Sequence, residues 1–145
     1  MVVENIQIKR ICSFYVSEFH LGMILLPYIS QKIERKEPIL IVSEKNLLNS
    51  IKELVSKVNL KEEIKNQILN LKWNCSNIVE IKDKSNIILI GKEKFIEDKV
   101  KEIEEKNINE IQIIDCYYFE EIKNKMQDIV EKHDRSLNTL GISAF

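Results

Sequence analysis

Short apolar runs alternate along the chain with longer segments in which apolar residues recur every three or four positions. Ile6 to Val16 is dense in β-branched and aromatic residues and predicts a first strand. Ser17 stands where a helix cap belongs, and Glu18 where the helix dipole favours an acid. Beyond them Leu21, Ile24, Leu25, Tyr28, Ile29 and Ile33 mark one buried helix face. Pro27 falls inside that stripe. It removes one backbone bond and predicts a helix that bends but continues, its curvature aiming Glu18 and His20 at the strand ends. Ile39 to Val42 is a uniformly apolar run of the kind buried on both faces of a sheet. Leu47, Leu48, Ile51, Leu54, Val55 and Val58 predict a second helix, and a third runs from about Leu60 to Leu71 with Asn59 in the cap position. Ile78 to Lys82 predicts an edge strand and Ile87 to Ile90 a central one, joined through the turn KDKSN. Lys92 to Glu105 is helical, with Phe95, Ile96, Val100 and Ile103 inward. Ile111 to Ile114 forms the last strand, and a final helix from Cys116 buries Phe119, Ile122, Met126, Ile129 and Val130.

This alternation predicts one three-layer α/β domain over residues 1–145. Its central sheet is mostly parallel, of about five strands, with helices on both faces and a RecA-like outline. Open sheets of this kind take ligands beyond the carboxyl ends of their strands. Four segments reach that edge: Tyr15 to His20, Ser43 to Asn46, Gly91 to Glu93 and Asp115 to Tyr118.

Composition narrows the function classes. Of 145 residues, 44% are hydrophobic and 31% charged, with a formal net charge of −1, which describes a globular chain and not a dedicated nucleic-acid binder. The chain has 25 Ile, 19 Lys and 3 Arg. AT-rich codons produce that skew, so the lysines carry no special electrostatic meaning. No apolar run reaches a membrane span and the N-terminus lacks the order of a signal peptide, so the expectation is a cytoplasmic protein with no membrane or nucleic-acid partner. Cys12, Cys75 and Cys116 are odd in number and widely spaced, fitting reduced thiols rather than a disulfide framework or a metal site.

Catalytic signatures are missing. The first strand-to-helix turn, FYVSEFHLG, has neither the glycines nor the Lys of a phosphate-binding loop, which argues against nucleotide hydrolysis. Asp115 follows the apolar run IQII, where an acid either positions magnesium or caps a helix, and without a phosphate loop the cap is the stronger reading. Glu44 stands at the end of the second strand, either lining a cleft or solvated beside Lys45. Glu18 and His20 lie two residues apart, about 200° around a helix, so they do not chelate one metal together. His133 continues the apolar stripe of the last helix, which points to partial burial or to a dipole interaction at its end. No Ser or Cys carries the local signature of a nucleophile with an activating base, so nucleophilic catalysis has no support.

From Lys9 to Glu44 the chain resembles the opening of the MEDS domain, a sensory module related to RecA-like folds. The matching positions are Ile11, Cys12, Tyr15, Ser17, Glu18, Leu26, Pro27, Tyr28 and Glu37. Arg10 stands where that family has a His, and QKIERKE replaces its glycine-rich helix end. The resemblance implies a phosphate-loop-derived fold that has lost catalysis and serves as a sensor.

These readings converge on a non-catalytic sensory or regulatory module without cofactor or metal. Its small ligand would meet Tyr15, Ser17, Glu18, His20, Glu44 and Asp115 at the strand ends. The alternative is an adaptor or homodimer using an exposed surface at Trp73, Tyr117, Tyr118 or Phe119. A degenerate nucleotide-using hydrolase built on Asp115 is the third reading.

Overall fold

The structure, a computed structural model, describes residues 7–144. Six strands form one sheet: β1 (Ile8–Tyr15), β2 (Ile39–Ser43), β3 (Asn86–Ile90), β4 (Ile111–Tyr118), β5 (Arg135–Asn138) and β6 (Gly141–Ser143). Their order is β2-β3-β4-β1-β5-β6, and every pair is parallel except β5 with β6. The α/β architecture follows the hydrophobic pattern, with one strand more than expected. Ile6, expected to open the first strand, lies outside the described residues.

Helices divide between the two faces. On one side α1 (Glu18–Glu34), α2 (Leu48–Val55) and α3 (Glu62–Leu69) bury Leu25, Ile29, Leu54 and Ile68 against Ile11, Ile41, Ile88 and Ile114 of the strands. On the other, α4 (Glu93–Glu104), α5 (Phe119–Ile122) and α6 (Met126–Glu131) bury Ile96, Val100, Ile122 and Ile129 against Cys12, Leu89, Ile113 and Tyr117. Alternate strand residues therefore serve opposite cores, which is why the inner strands read as unbroken apolar runs. Among the described residues no helix is long and apolar enough to cross a membrane.

Helix α1 begins as its residues dictate, since Ser17 Oγ accepts from the His20 amide at 3.0 Å. It runs without a break through Pro27, which lies on the exposed side. It ends by another device than glycine. Lys36 adopts φ 58°, the Glu37 amide reaches back to Lys32 O, and the Lys36 amide reaches Ile33 O. This is a left-handed helix end with the 6→1 bond of a Schellman turn, built on a residue with a Cβ.

Several elements depart from the sequence pattern. Ile78–Lys82 is not a strand. The chain leaves α3, passes outside the sheet edge with Cys75 O accepting from the Ser43 amide at 2.8 Å, and lays Ile78 and Ile81 on the second core. This strap crosses from one face to the other and covers the β2 edge that would otherwise stay open. Asn59 does not cap α3; Lys61 occupies that position. The last strand does not stop at Ile114 but runs to Tyr118, and the single final helix is the two short helices α5 and α6. Hairpin β5–β6 has no counterpart in the sequence reading, because RSLN and GIS are too short and too polar to show a period.

Replacing Lys36 with Gly should raise stability by about 1 kcal/mol, because the left-handed conformation then loses its Cβ clash. Urea unfolding of the two proteins measures it; an unchanged midpoint would show that the Lys36 conformation carries no strain.

Candidate functional site

Strands β1 and β4 lie side by side, yet the helix after β1 covers one face and the helices after β4 the other. The chain therefore parts at their carboxyl ends, and this divergence is where open parallel sheets leave a crevice. Here the crevice is lined by Tyr15, Glu18, Glu44, Gly91, Tyr118 and Glu121, with Lys45 and Lys92 beside them. The enclosed space is about 40 Å³, room for a few waters or one small polar group. Register places Tyr15 directly opposite Tyr118, with ring centroids 5.7 Å apart, so two aromatic rings wall one side. Burial first, then Cys116 and the nearby Glu121 and Glu18, push the Tyr15 phenol well above its ordinary range. It remains a neutral hydroxyl that donates and accepts.

The rim carboxylates are positioned by neighbours. Glu44 Oε1 accepts from the Lys92 amide at 2.8 Å, so β2 caps the start of α4 from across the crevice. Gly91 makes that approach feasible: a Cβ there would lie 2.7 Å from Glu44 Oε1 and 3.0 Å from the Phe95 ring. Glu18 Oε1 accepts from Ser50 Oγ of α2 at 2.9 Å.

Of the six residues expected at the strand ends, Tyr15, Glu18 and Glu44 meet in the crevice. Ser17 is taken up by the α1 cap. His20 closes the same turn from the other side, its Nδ1 accepting from the Val16 amide at 3.0 Å, and is not part of the crevice lining. Asp115 is the largest correction. It caps no helix and ends no strand; it sits within β4, opposite Cys12 of β1 and Leu89 of β3, with no exposed surface.

There Asp115 is the centre of a buried polar network. Its Oδ2 accepts from Arg10 Nε at 3.0 Å and Arg10 Nη2 at 2.6 Å, and meets His133 Nε2 at 2.6 Å. The other ring nitrogen of His133 lies 2.5 Å from Ile129 O. Arg10 Nη2 also reaches Glu97 of α4 at 3.0 Å. Burial works against the Arg10 charge, but Asp115 and Glu97 outweigh it and hold the guanidinium charged beyond its ordinary range. Asp134, next to His133, receives the Arg10 amide on its carboxylate and donates its own amide to Arg10 O. Two strands and two helices, α4 and α6, are thus tied to one carboxylate. Arg10 carries a signal in the sequence after all. Ile8, Arg10, Cys12 and Phe14 share one strand face, so a charge among them demands a buried partner.

The residues proposed for an exposed interface are mostly inside. Trp73 is fully buried and donates from Nε1 to Ile68 O at 2.8 Å, so the α3 segment packs on the domain. Tyr117 is buried against Phe14 and His133, while Tyr118 and Phe119 are half-buried. All three cysteines are free. Burial, reinforced by Asp115, raises the Cys12 thiol to about 11, and burial raises Cys116 in the same direction. No group of three or more His, Cys, Asp and Glu among the described residues is arranged to hold a metal.

No protein-family model, no curated protein sequence and no solved structure matches this chain. The likeness of residues 9–44 to the MEDS opening therefore rests on the residues themselves.

Asp115→Asn should cost about 2–3 kcal/mol, because it breaks the buried ion pair and leaves the Arg10 guanidinium with Glu97 alone as counter-charge. Urea unfolding would show it; a loss below about 1 kcal/mol would mean that the site relaxes to admit water. At neutral pH a thiol reagent should modify Cys75 alone in the native protein and all three cysteines after unfolding, with reductant leaving the melting temperature unchanged. Fast native labelling of Cys12 or Cys116 would contradict the burial described.

Proposed function

We propose that the protein is a non-catalytic binding module of the sensory or regulatory kind, and that its ligand is a small molecule presenting a cationic nitrogen to the crevice between β1 and β4. The observation that carries this reading is the crevice itself. Two tyrosines wall it, and Glu18, Glu44 and Glu121 stand around an opening large enough for an amine head but not for a nucleotide. Three carboxylates against Lys45 and Lys92 leave the rim acidic, and the tyrosine rings add faces on which a cation is attracted. The remainder of the ligand would lie along the open side, over α1 and the β3–α4 turn.

Two features support the absence of turnover. The crevice lining contains no Ser, Cys or His that could pair as nucleophile and base. The one acid in a magnesium-positioning place, Asp115, is already paired with Arg10 and in hydrogen-bond contact with His133 within the protein. The MEDS-like opening, Lys9 to Glu44, points the same way, toward a sensor whose fold has outlived its catalysis. Localisation in the cytoplasm belongs to the same proposal.

The test is a heteronuclear NMR titration of the labelled protein with a panel of primary amines and guanidinium compounds, with matched carboxylates as controls. Amide shifts should cluster at Tyr15 to Glu18, Glu44, Gly91 and Tyr118 to Glu121, and Glu121→Gln should weaken binding by roughly tenfold, the scale of one charge-assisted hydrogen bond. Carboxylates binding as well as amines, or shifts confined to another surface, would defeat the proposal.

A further inference from the structure

Beyond the crevice, the outer side of α1 and the β5–β6 hairpin form one surface that differs from the rest of the molecule. The exposed row along α1 is Phe19, Met23, Pro27 and Gln31, four residues at i, i+4, i+8 and i+12 with no charge among them. On α4 the exposed positions are Lys94, Asp98, Lys101, Glu102 and Glu104, which is how a solvated helix face ordinarily reads. Phe19 is 60% exposed, far more than an aromatic ring needs for packing. The hairpin continues the pattern. From Ser136 to Ala144 the chain carries no charged residue, although 31% of the protein is charged. Its tip residue Leu140 is 95% exposed, and Ile142 of β6 is also exposed.

These elements adjoin one another. Between them runs an open groove of about 380 Å³, lined by Ile24, Pro27 and Tyr28 of α1 and by Leu137, Leu140 and Ile142 of the hairpin. Among the described residues β6 pairs with β5 alone, so its outer backbone edge faces no strand. Edges that stay solitary are protected by charge, proline or a covering segment. The opposite edge of this sheet has such a cover in the strap at Cys75, whereas among the described residues β6 has none of these devices.

We propose that this surface is the interface of a two-fold homodimer, in which β6 pairs antiparallel with β6 of a second copy and the sheet continues across the axis. Charge complementarity selects the occupant. In an isologous contact the residues near the two-fold axis meet their own copies, so a charge there would face its own sign; from Ser136 to Ala144 this patch has none. Knob and groove also belong to the same molecule: each Leu140 projects and each α1–hairpin groove receives. A two-fold axis normal to the sheet keeps both copies of α1 on one face, bringing the two Phe19–Gln31 rows together beside the paired strands. The interface shares no residue with the crevice lining, so the two can be tested separately.

Sedimentation equilibrium of the full chain decides it, with Leu140→Asp and Met23→Glu as variants on the two halves of the surface. Both side chains are exposed, so both variants should fold, as circular dichroism and an unchanged melting temperature would confirm. The expected result is a discrete dimer that each variant weakens by roughly 30-fold or more, the effect of an interface anchor. A monomer at about 100 µM, below the affinity range of specific assemblies, overturns the proposal. So does a dimer that survives either variant, or an open ladder of oligomers, which a head-to-tail contact would give.

Discussion

A carboxylate in the middle of a sheet is costly unless its surroundings answer it, and Asp115 is answered from two sides. Arg10 comes from the neighbouring strand, His133 from the end of α6, and Glu97 of α4 holds the far side of the Arg10 guanidinium. Coulomb attraction in a low-dielectric interior is strong, but so is the penalty for removing charges from water, and buried ion pairs often contribute little net stability. What this network supplies is position. β1 and β4 could slide past one another with small loss of apolar contact, because both present Ile on both faces. They cannot slide by one residue without sending Asp115 to the α1 side, where Arg10 does not reach.

That register then fixes the crevice. With Cys12 opposite Asp115, Tyr15 comes opposite Tyr118, and the two rings meet where the chain parts to opposite faces. The same network reaches the last part of the fold. His133 and Asp134 deliver the chain from α6 to the free side of β1, where Arg135 and Ser136 pair with Ile11 and Cys12. Ser13 Oγ adds a bond to Leu137 O at 2.9 Å. The short, polar β5 forms there because its entry point is pinned, not because its sequence favours a strand.

Legibility in the sequence follows from these causes. Long periodic segments such as α1 and α4, and unbroken apolar runs such as Ile87 to Ile90, declare themselves because burial on a regular lattice leaves a period. The Ser17 cap and the reach of α1 through Pro27 were legible for the same local reason. Elements held by distant partners were not. Ile78 to Lys82 alternates like an edge strand, yet it is a strap whose apolar residues pack on the far core. Asp115 looked like a strand end because a charge after IQII breaks the apolar run. Its partners lie 105 residues upstream and 18 downstream, and no local pattern records such a meeting. At the site, the rule for strand ends marks Tyr15, Glu18, Glu44 and the segment from Gly91 to Glu93, while the reason for a glycine at 91 emerges only from the close approach of Glu44.

The two edges of the sheet show how differently one chain can treat the same hazard. At β2 the strap from Trp73 onward spans the edge, anchored by a fully buried indole and one backbone bond at Ser43. At β6, among the described residues, neither a strap nor a charge intervenes, and the helix beside it carries an uncharged outer row. A protein that protects one edge with a dedicated segment has the means to protect the other, so the difference marks the unprotected edge as an occupied one. Such an arrangement would leave the β1–β4 crevice at the strand ends facing solvent, and the α1 helix would then join them: Glu18 at its start lines the crevice, and Phe19 through Gln31 line the copy-facing side. One rigid helix of 17 residues, continuous through its proline, thus carries both surfaces.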